Sequence, residues 1–244
     1  MSQLVIDIGN SRTKVAIFDD RRLIKNEILP HLAEARLKSY IGEYSIQQSI
    51  ISSVKDDVGA LEDTLAENTA YTRFSAELTN GIKLEYKSPG TLGLDRLAGV
   101  IGARTLYPER NCLVIDSGTC ITYDAVDLGG VYKGGSISPG LNMRLKAMHE
   151  FTGRLPLVEL SDFDGLYGND TVTSMLSGVV NGTLAEVTGF IEKYKNQYSD
   201  LQVILCGGDS KFFDSRLKSS IFAHTLKTEP DLVLIGLNEV IHQQ

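Results

Sequence analysis

The chain has 244 residues, 42% of them hydrophobic and 23% charged, with a net charge of −7. That length accommodates one large domain or two small ones with cores of their own. No run of Lys or Arg forms the basic stripe that a nucleic-acid surface needs, and no stretch approaches the roughly 18 apolar residues that span a bilayer, so neither partner is expected.

The N-terminus runs straight into Leu4-Val5-Ile6, without the basic, apolar and small-residue succession of a signal peptide. Asp7-Ile8-Gly9-Asn10 continues that strand into a tight polar turn, and residues 14–19 read as the returning strand. A third strand is expected near 23–29, a helix over 32–44, a strand over 49–54, a helix over 57–67 and a short strand over 71–74. The loop Pro89-Gly90-Thr91-Leu92-Gly93-Leu94-Asp95-Arg96 then leads into an apolar helix over 97–106. At Leu113-Val114-Ile115-Asp116-Ser117-Gly118-Thr119 the first block returns, with Thr122 falling on Thr13 and a returning strand over 121–127. Further strands are expected near 131–136 and 203–206. Between them a long helix spans 171 to about 195, where Val172, Met175, Leu176, Val179, Val180, Leu184, Val187, Phe190 and Ile191 keep helical spacing. The turn Gly207-Gly208-Asp209 and a closing helix from about residue 230 complete the chain.

One strand–turn–strand with glycine is an ordinary hairpin. Two near-identical ones, spaced close to half the chain length, indicate an α/β chain of two duplicated domains, expected at 1–110 and 111–244. The cleft between such halves is a natural ligand site.

An Asp at the end of a buried strand followed by a glycine turn suits a phosphate site. Backbone approaches closely where Cβ is missing, and its N–H groups face outward. The Asp7 carboxylate would repel phosphate directly, so its useful role is to hold Mg²⁺, usually through water. Lys14 either adds a point charge at the phosphates or is a solvated strand residue. Asp7 and Asp116, one from each half, suggest two carboxylates facing one cleft. Gly207-Gly208-Asp209, third in order, would suit a nucleotide base or ribose lying near backbone. Cys112, Cys120 and Cys206 have neither metal-ligand spacing nor a disulfide framework. Free thiols suit a reducing compartment, and the chain is expected to be cytoplasmic.

These residues resemble the acetate kinase, sugar kinase, Hsp70 and actin superfamily and, within it, the type III pantothenate kinases. The resemblance rests on Asp7-Ile8-Gly9-Asn10-Ser11-Arg12-Thr13-Lys14, Gly93-Leu94-Asp95-Arg96, and Asp116-Ser117-Gly118-Thr119 with Thr122 and Asp124. Gly134-Gly135-Ser136-Ile137-Ser138-Pro139-Gly140, Gly153-Arg154-Leu155-Pro156 and Gly168-Asn169-Asp170-Thr171 add to it. Ser11-Arg12 departs from the commoner Thr-Asn-like pair. The resemblance implies two actin-like (ribonuclease H-like) domains with ATP and substrate in the cleft between them. It implies transfer of the ATP γ-phosphate to the primary hydroxyl of pantothenate, giving 4′-phosphopantothenate, the first step of coenzyme A synthesis. ATP would lie on Asp7, Ile8, Gly9, Asn10, Ser11, Arg12, Thr13, Lys14 and Thr119, and pantothenate on Tyr86, Gly93, Leu94, Asp95, Arg96 and Thr171.

By residue type alone Asp95 reads as a helix N-cap; the resemblance places the general base there and a substrate-binding arginine at Arg96. Tyr86 and Thr171 carry the same duality, as a half-buried strand tyrosine and an N-cap respectively, or as substrate contacts. Asp116 falls on a monovalent-cation ligand, implying dependence on K⁺ or NH₄⁺, and the family completes its site across a homodimer to which the long helix is expected to contribute. Two alternatives share the fold. One is a kinase with another small acceptor, or a polyphosphate-type phosphatase; the other is a regulator that binds ATP without catalysis.

Overall fold

The computed structural model describes residues 1–55, 57–218 and 222–242. Its first compact unit comprises Met1–Glu109, Val126–Gly134 and Asp231–Gln244. It begins with β1 (Ser2–Ile8), β2 (Thr13–Asp19) and β3 (Arg22–Leu29), followed by α1 (Glu34–Tyr44), β4 (Gln48–Ser53), α2 (Gly59–Asn68) and β5 (Ala70–Arg73). The sheet order is β3-β2-β1-β4-β5. β1 pairs antiparallel with β2 and parallel with β4, which places it at the centre. From Gln3 to Ile8 every residue of β1 is buried, the continuous run of a strand covered on both faces. β3, at the edge, alternates between exposed and half-buried residues.

On one face of this sheet Leu4, Ile6, Ile8, Val15 and Ile17 pack against Leu37 and Tyr40 of α1 and Leu65 of α2. The unit also contains β6 (Lys83–Leu84) and α3 (Leu94–Leu106), and the chain returns to it with α7 (Leu232–His242). The two helices touch backbone to backbone. A Cβ on Gly236 would lie 1.9 Å from the carbonyl oxygen of Ala98, and one on Gly102 would lie 2.3 Å from that of Leu232. Only glycines allow so close a crossing, and it fixes the helix that carries Asp95 and Arg96.

The second unit comprises Arg110–Ala125 and Gly135–Pro230. Its elements are β7 (Cys112–Ser117), β8 (Cys120–Val126), β9 (Val131–Pro139), α4 (Leu141–Glu150), α5 (Thr171–Gln197), β10 (Gln202–Cys206), α6 (Ser210–Leu217) and β11 (Leu226–Thr228). The sheet runs β11-β10-β7-β8-β9. The first residues of β9, which pair in parallel with β6, count with the first unit. Leu113 and Ile115 of β7, Val203 and Leu205 of β10, and Met175, Leu176, Val179, Val187 and Ile191 of α5 form one core.

Element order follows the sequence reading, with four additions. α4, α6, β6 and β11 carry too little pattern to be read in advance: α4 buries only Leu141 and Leu145, and β6 has two residues. On α5 the buried stripe begins at Met175, while Val172, expected within it, is 43% exposed in the first turn. α3 starts at Leu94 rather than 97, so Asp95 and Arg96 belong to the helix and not to the preceding loop.

Candidate active site

In the first unit the β1–β2 hairpin turns over residues 9–12. The Gly9 N–H donates to the Arg12 carbonyl at 3.0 Å, and a Cβ on Gly9 would stand 3.4 Å from that same oxygen. Asp7 and Lys14 are directly opposed partners in the ladder, as are Ile8 and Thr13. Opposed residues share a face, so Asp7 and Lys14 project from the same side of the sheet at the start and end of the turn. Asp7 and Thr13 are buried, whereas Asn10, Ser11 and Arg12 are exposed along the rim.

Helix α3 supplies the second cluster. Its N-cap is Gly93, and Asp95 lies in the first turn, where the helix dipole favours a carboxylate. Asp95 Oδ1 accepts the Arg96 N–H at 2.8 Å, satisfying one of the otherwise orphaned donors of the helix start. The reading of Asp95 as the N-cap is therefore corrected: glycine takes that place because a Cβ on Gly93 would meet Asp95 Oδ1 at 2.6 Å and Arg96 Cδ at 3.4 Å. We expect Gly93→Ala to swing the Asp95 carboxylate off the Arg96 N–H and to destabilise the helix start by about 1 kcal/mol, the usual scale for a lost capping bond. A wild-type thermal midpoint in this variant would count against it.

Asp95 is exposed, while Arg96 is buried, with 7% of its surface accessible. The Arg96 guanidinium carbon lies 5.9 Å from the ring centroid of Tyr86, within cation–π range. Tyr86 in turn stands 5.9 Å from the buried ring of Tyr132. Tyr86 follows β6 instead of lying in a strand, and it stands between the tilted ring of Tyr132 and the guanidinium of Arg96.

In the second unit β7 ends at Asp116-Ser117 and turns through Gly118-Thr119, where the Gly118 N–H donates to the Cys120 carbonyl at 2.9 Å. Thr119 is exposed and Asp116 half-buried. Gly207 lies over this turn with a φ of +85°, and a Cβ there would fall 2.3 Å from Asp116 Oδ1. The Asp209 N–H reaches the Ser117 carbonyl at 2.9 Å. Gly207 thus moulds the Asp116 site, a role that a glycine turn after a strand does not announce.

Thr171 opens α5, but the N-cap is Asp170, in a reciprocal capping box with Thr173. The reading of Thr171 as a cap is corrected, and its hydroxyl is exposed. It lines an open depression of about 560 Å³ together with Met148, Leu155 and Met175.

Comparison with known proteins decides the family. The chain matches the type III pantothenate kinase family over residues 3–193. It is 41% identical over 243 residues to the type III pantothenate kinase of Bacteroides fragilis, covering 98% of this chain and 97% of the relative.

The chain belongs to the type III pantothenate kinase family.

The Christiangramia forsetii type III pantothenate kinase is 39% identical, again over 98% and 97% of the two chains. Among solved structures, a Baf family protein from Campylobacter jejuni, assigned as a transcriptional activator, aligns with a TM-score of 0.62 at 21% identity over 98% of both chains. The activator of the 2-hydroxyisocaproyl-CoA dehydratase from Clostridium difficile, with ADPNP bound, aligns with a TM-score of 0.52 at 12% identity over 98% and 93%. At these identities the likeness is one of fold alone. As a member of its family the chain is an ATP-dependent phosphotransferase, a pantothenate kinase of coenzyme A synthesis.

Proposed function

We propose that Asp95 is the general base and Arg96 the anchor for the pantothenate carboxylate. The observation that carries this reading is the pairing on one helical turn of an exposed carboxylate with a buried guanidinium within cation–π range of a tyrosine ring. Asp95 accepts the proton of the primary hydroxyl as that oxygen attacks the γ-phosphorus; the bond to the β,γ-bridging oxygen breaks, and ADP leaves. Such transfer is loose, so positioning and charge contribute more than base strength. Tyr86 holds the Arg96 plane, Gly93 and Leu94 shape the turn that meets the acceptor, and Thr171 offers a hydroxyl to the amide or hydroxyl groups of pantothenate.

Asp7 through Lys14 and Thr119 are proposed to receive ATP. The N–H groups of the β1–β2 turn and the Lys14 charge meet phosphate oxygens there. Among the described residues no cluster of three or more His, Cys, Asp or Glu side chains is placed to hold a metal ion. The single hard carboxylate of Asp7 fits Mg²⁺, which keeps water and takes phosphate oxygens as further ligands. Bound with ATP, Mg²⁺ would neutralise phosphate charge. Asp116, beside the backbone oxygens of its own turn, fits a monovalent cation such as K⁺ or NH₄⁺.

Incubating the protein with ATP, Mg²⁺, K⁺ and pantothenate should yield phosphopantothenate by mass detection. An inert mixture that still binds ATP would favour the regulator reading. Asp116→Ala should remove the response of the rate to K⁺; persistent activation would put the cation elsewhere.

We propose a homodimer in which the start of α5 is covered. Phe151, Leu166 and Tyr167, in the segment between α4 and α5, are each at least 80% exposed. A cytoplasmic location is supported by Cys112, Cys120 and Cys206, all free thiols; no helix among the described residues is long and apolar enough to cross a membrane. Two actin-like domains at 1–110 and 111–244 are the proposed division of the chain, while by contacts 126–134 and 231–244 join the first compact unit.

A further inference from the structure

The segment Ser138-Pro139-Gly140, where β9 ends and α4 is capped, lies on the Gly118-Thr119 turn. The Gly140 N–H donates to the Thr119 carbonyl at 3.0 Å. A Cβ on Gly140 would stand 2.1 Å from the Gly118 oxygen and 2.7 Å from that of Thr119, so the segment and the turn are in backbone contact. What holds the covering segment is a carboxylate that the chemistry above does not use.

Glu186, on α5, accepts from the Tyr123 hydroxyl at 2.8 Å and the Ser138 hydroxyl at 2.5 Å through Oε1, and from Arg144 Nη2 at 2.6 Å through Oε2. Arg144, on α4, also donates from Nε to the Pro139 carbonyl at 2.8 Å. Four elements of the second unit, β8, β9, α4 and α5, thus meet at one side chain. Phe190, one turn along α5 from Glu186, stacks on the Tyr123 ring at 4.0 Å between centroids and fixes that strand against the helix. Burial raises the Glu186 pKa, but hydrogen bonds from Ser138, Arg144 and Tyr123 outweigh it and hold the carboxyl below its ordinary value. Glu186 is therefore an anion at neutral pH, and its bonds are charge-assisted.

We propose that Glu186 and Arg144 are positioning residues for the phosphate turn, setting Thr119 through the chain Glu186–Arg144–Pro139–Gly140. The inference rests on the assignment of Thr119 to the ATP phosphates. Arginine is required because its planar fork reaches Glu186 and the Pro139 carbonyl together, while a lysine ammonium at the end of a flexible stem holds at most one of them in a fixed direction. A network placed only to hold the unit together would shift thermal stability without singling out one substrate.

The test compares KM for ATP, KM for pantothenate, kcat and thermal midpoint in Glu186→Gln, Arg144→Lys, Thr119→Ala and the Glu186→Gln/Thr119→Ala double variant. Glu186→Gln and Arg144→Lys should each raise KM for ATP by roughly tenfold, a fraction of what a misplacement of about 1 Å can cost. KM for pantothenate should stay as in wild type. On the Thr119→Ala background Glu186→Gln should add little, because the network acts by placing the Thr119 hydroxyl, which that background lacks. Unchanged KM for ATP in folded Arg144→Lys, or fully multiplicative effects in the double variant, would overturn the proposal. Should Glu186→Gln fail to fold, Arg144→Lys carries the test, since the Arg144 side chain is 23% exposed and tolerates exchange. If Thr119→Ala itself leaves ATP kinetics untouched, the assignment of Thr119 fails, a result distinct from failure of the network.

Discussion

Asp95→Asn should lower kcat by roughly 10²-fold or more, the usual scale for loss of a general base. The substitution is chosen because it leaves the helix start intact. The asparagine carbonyl replaces Asp95 Oδ1 as acceptor for the Arg96 N–H, now met at 2.8 Å, and Gly93 already provides the room. What disappears is the oxygen able to take a proton. KM for pantothenate should change little, because the substrate carboxylate is assigned to Arg96. Arg96→Lys should do the reverse, raising KM more than it lowers kcat, since an ammonium cannot pair bidentately with a carboxylate as a guanidinium does. Turnover by Asp95→Asn equal to wild type would remove Asp95 from the chemistry and leave the loose transfer to positioning alone.

Gly207→Ala should destabilise the second unit by about 3 kcal/mol or more, in the tail of single substitutions. Two causes add. The residue holds φ at +85°, where an L side chain is strained by roughly 1 kcal/mol. The new methyl would also lie 2.3 Å from Asp116 Oδ1, 2.4 Å from the Ser117 oxygen and 2.7 Å from the Ser117 nitrogen. Those atoms cannot easily give way. The Ser117 carbonyl is held by the Asp209 N–H at 2.9 Å, and the Ser117 hydroxyl donates to the Cys206 carbonyl at 3.0 Å. At about 2–4 °C per kcal/mol for a chain of this size, the thermal midpoint should fall by roughly 10 °C. Gly208→Ala is the internal control, because a Cβ there meets nothing within 4 Å. Equal midpoints for the two variants would show that the turn relaxes in a way the close contacts do not suggest. Activity in any surviving Gly207→Ala protein should respond poorly to K⁺, because the displaced carboxylate is the proposed cation ligand.

The elements most plainly readable in advance bury long, regular apolar patterns, whereas β3 and β5 are read from strand-forming residue types although neither buries a residue. β1 and β10 are continuous runs, and α5 keeps its stripe from Met175 to Ile191. α4 escaped because it turns only Leu141 and Leu145 inward and otherwise carries Asn142, Met143, Arg144 and Lys146. β11 has three residues, too few for alternation to register. The start of α3 was misplaced by three residues because Gly93 does not look like a cap; its suitability comes from the Asp95 and Arg96 side chains folding back over it.

For the site, the sequence by itself determined the chemical groups: two strand-end carboxylates before glycine turns, an Asp-Arg pair, and their order along the chain. These are legible because a phosphate turn demands glycine and outward N–H groups within a few neighbouring positions. Tertiary structure alone decided how the groups are held. Tyr86 comes under Arg96, Gly207 over Asp116, and Glu186 gathers Tyr123, Ser138 and Arg144, all pairings between distant positions. Such contacts leave no local signal, since a tyrosine, a glycine or a glutamate satisfies its own helix or strand equally well without them. The distance of the partners along the chain hides them, and only the packing of strands and helices into a core brings them within hydrogen-bond reach.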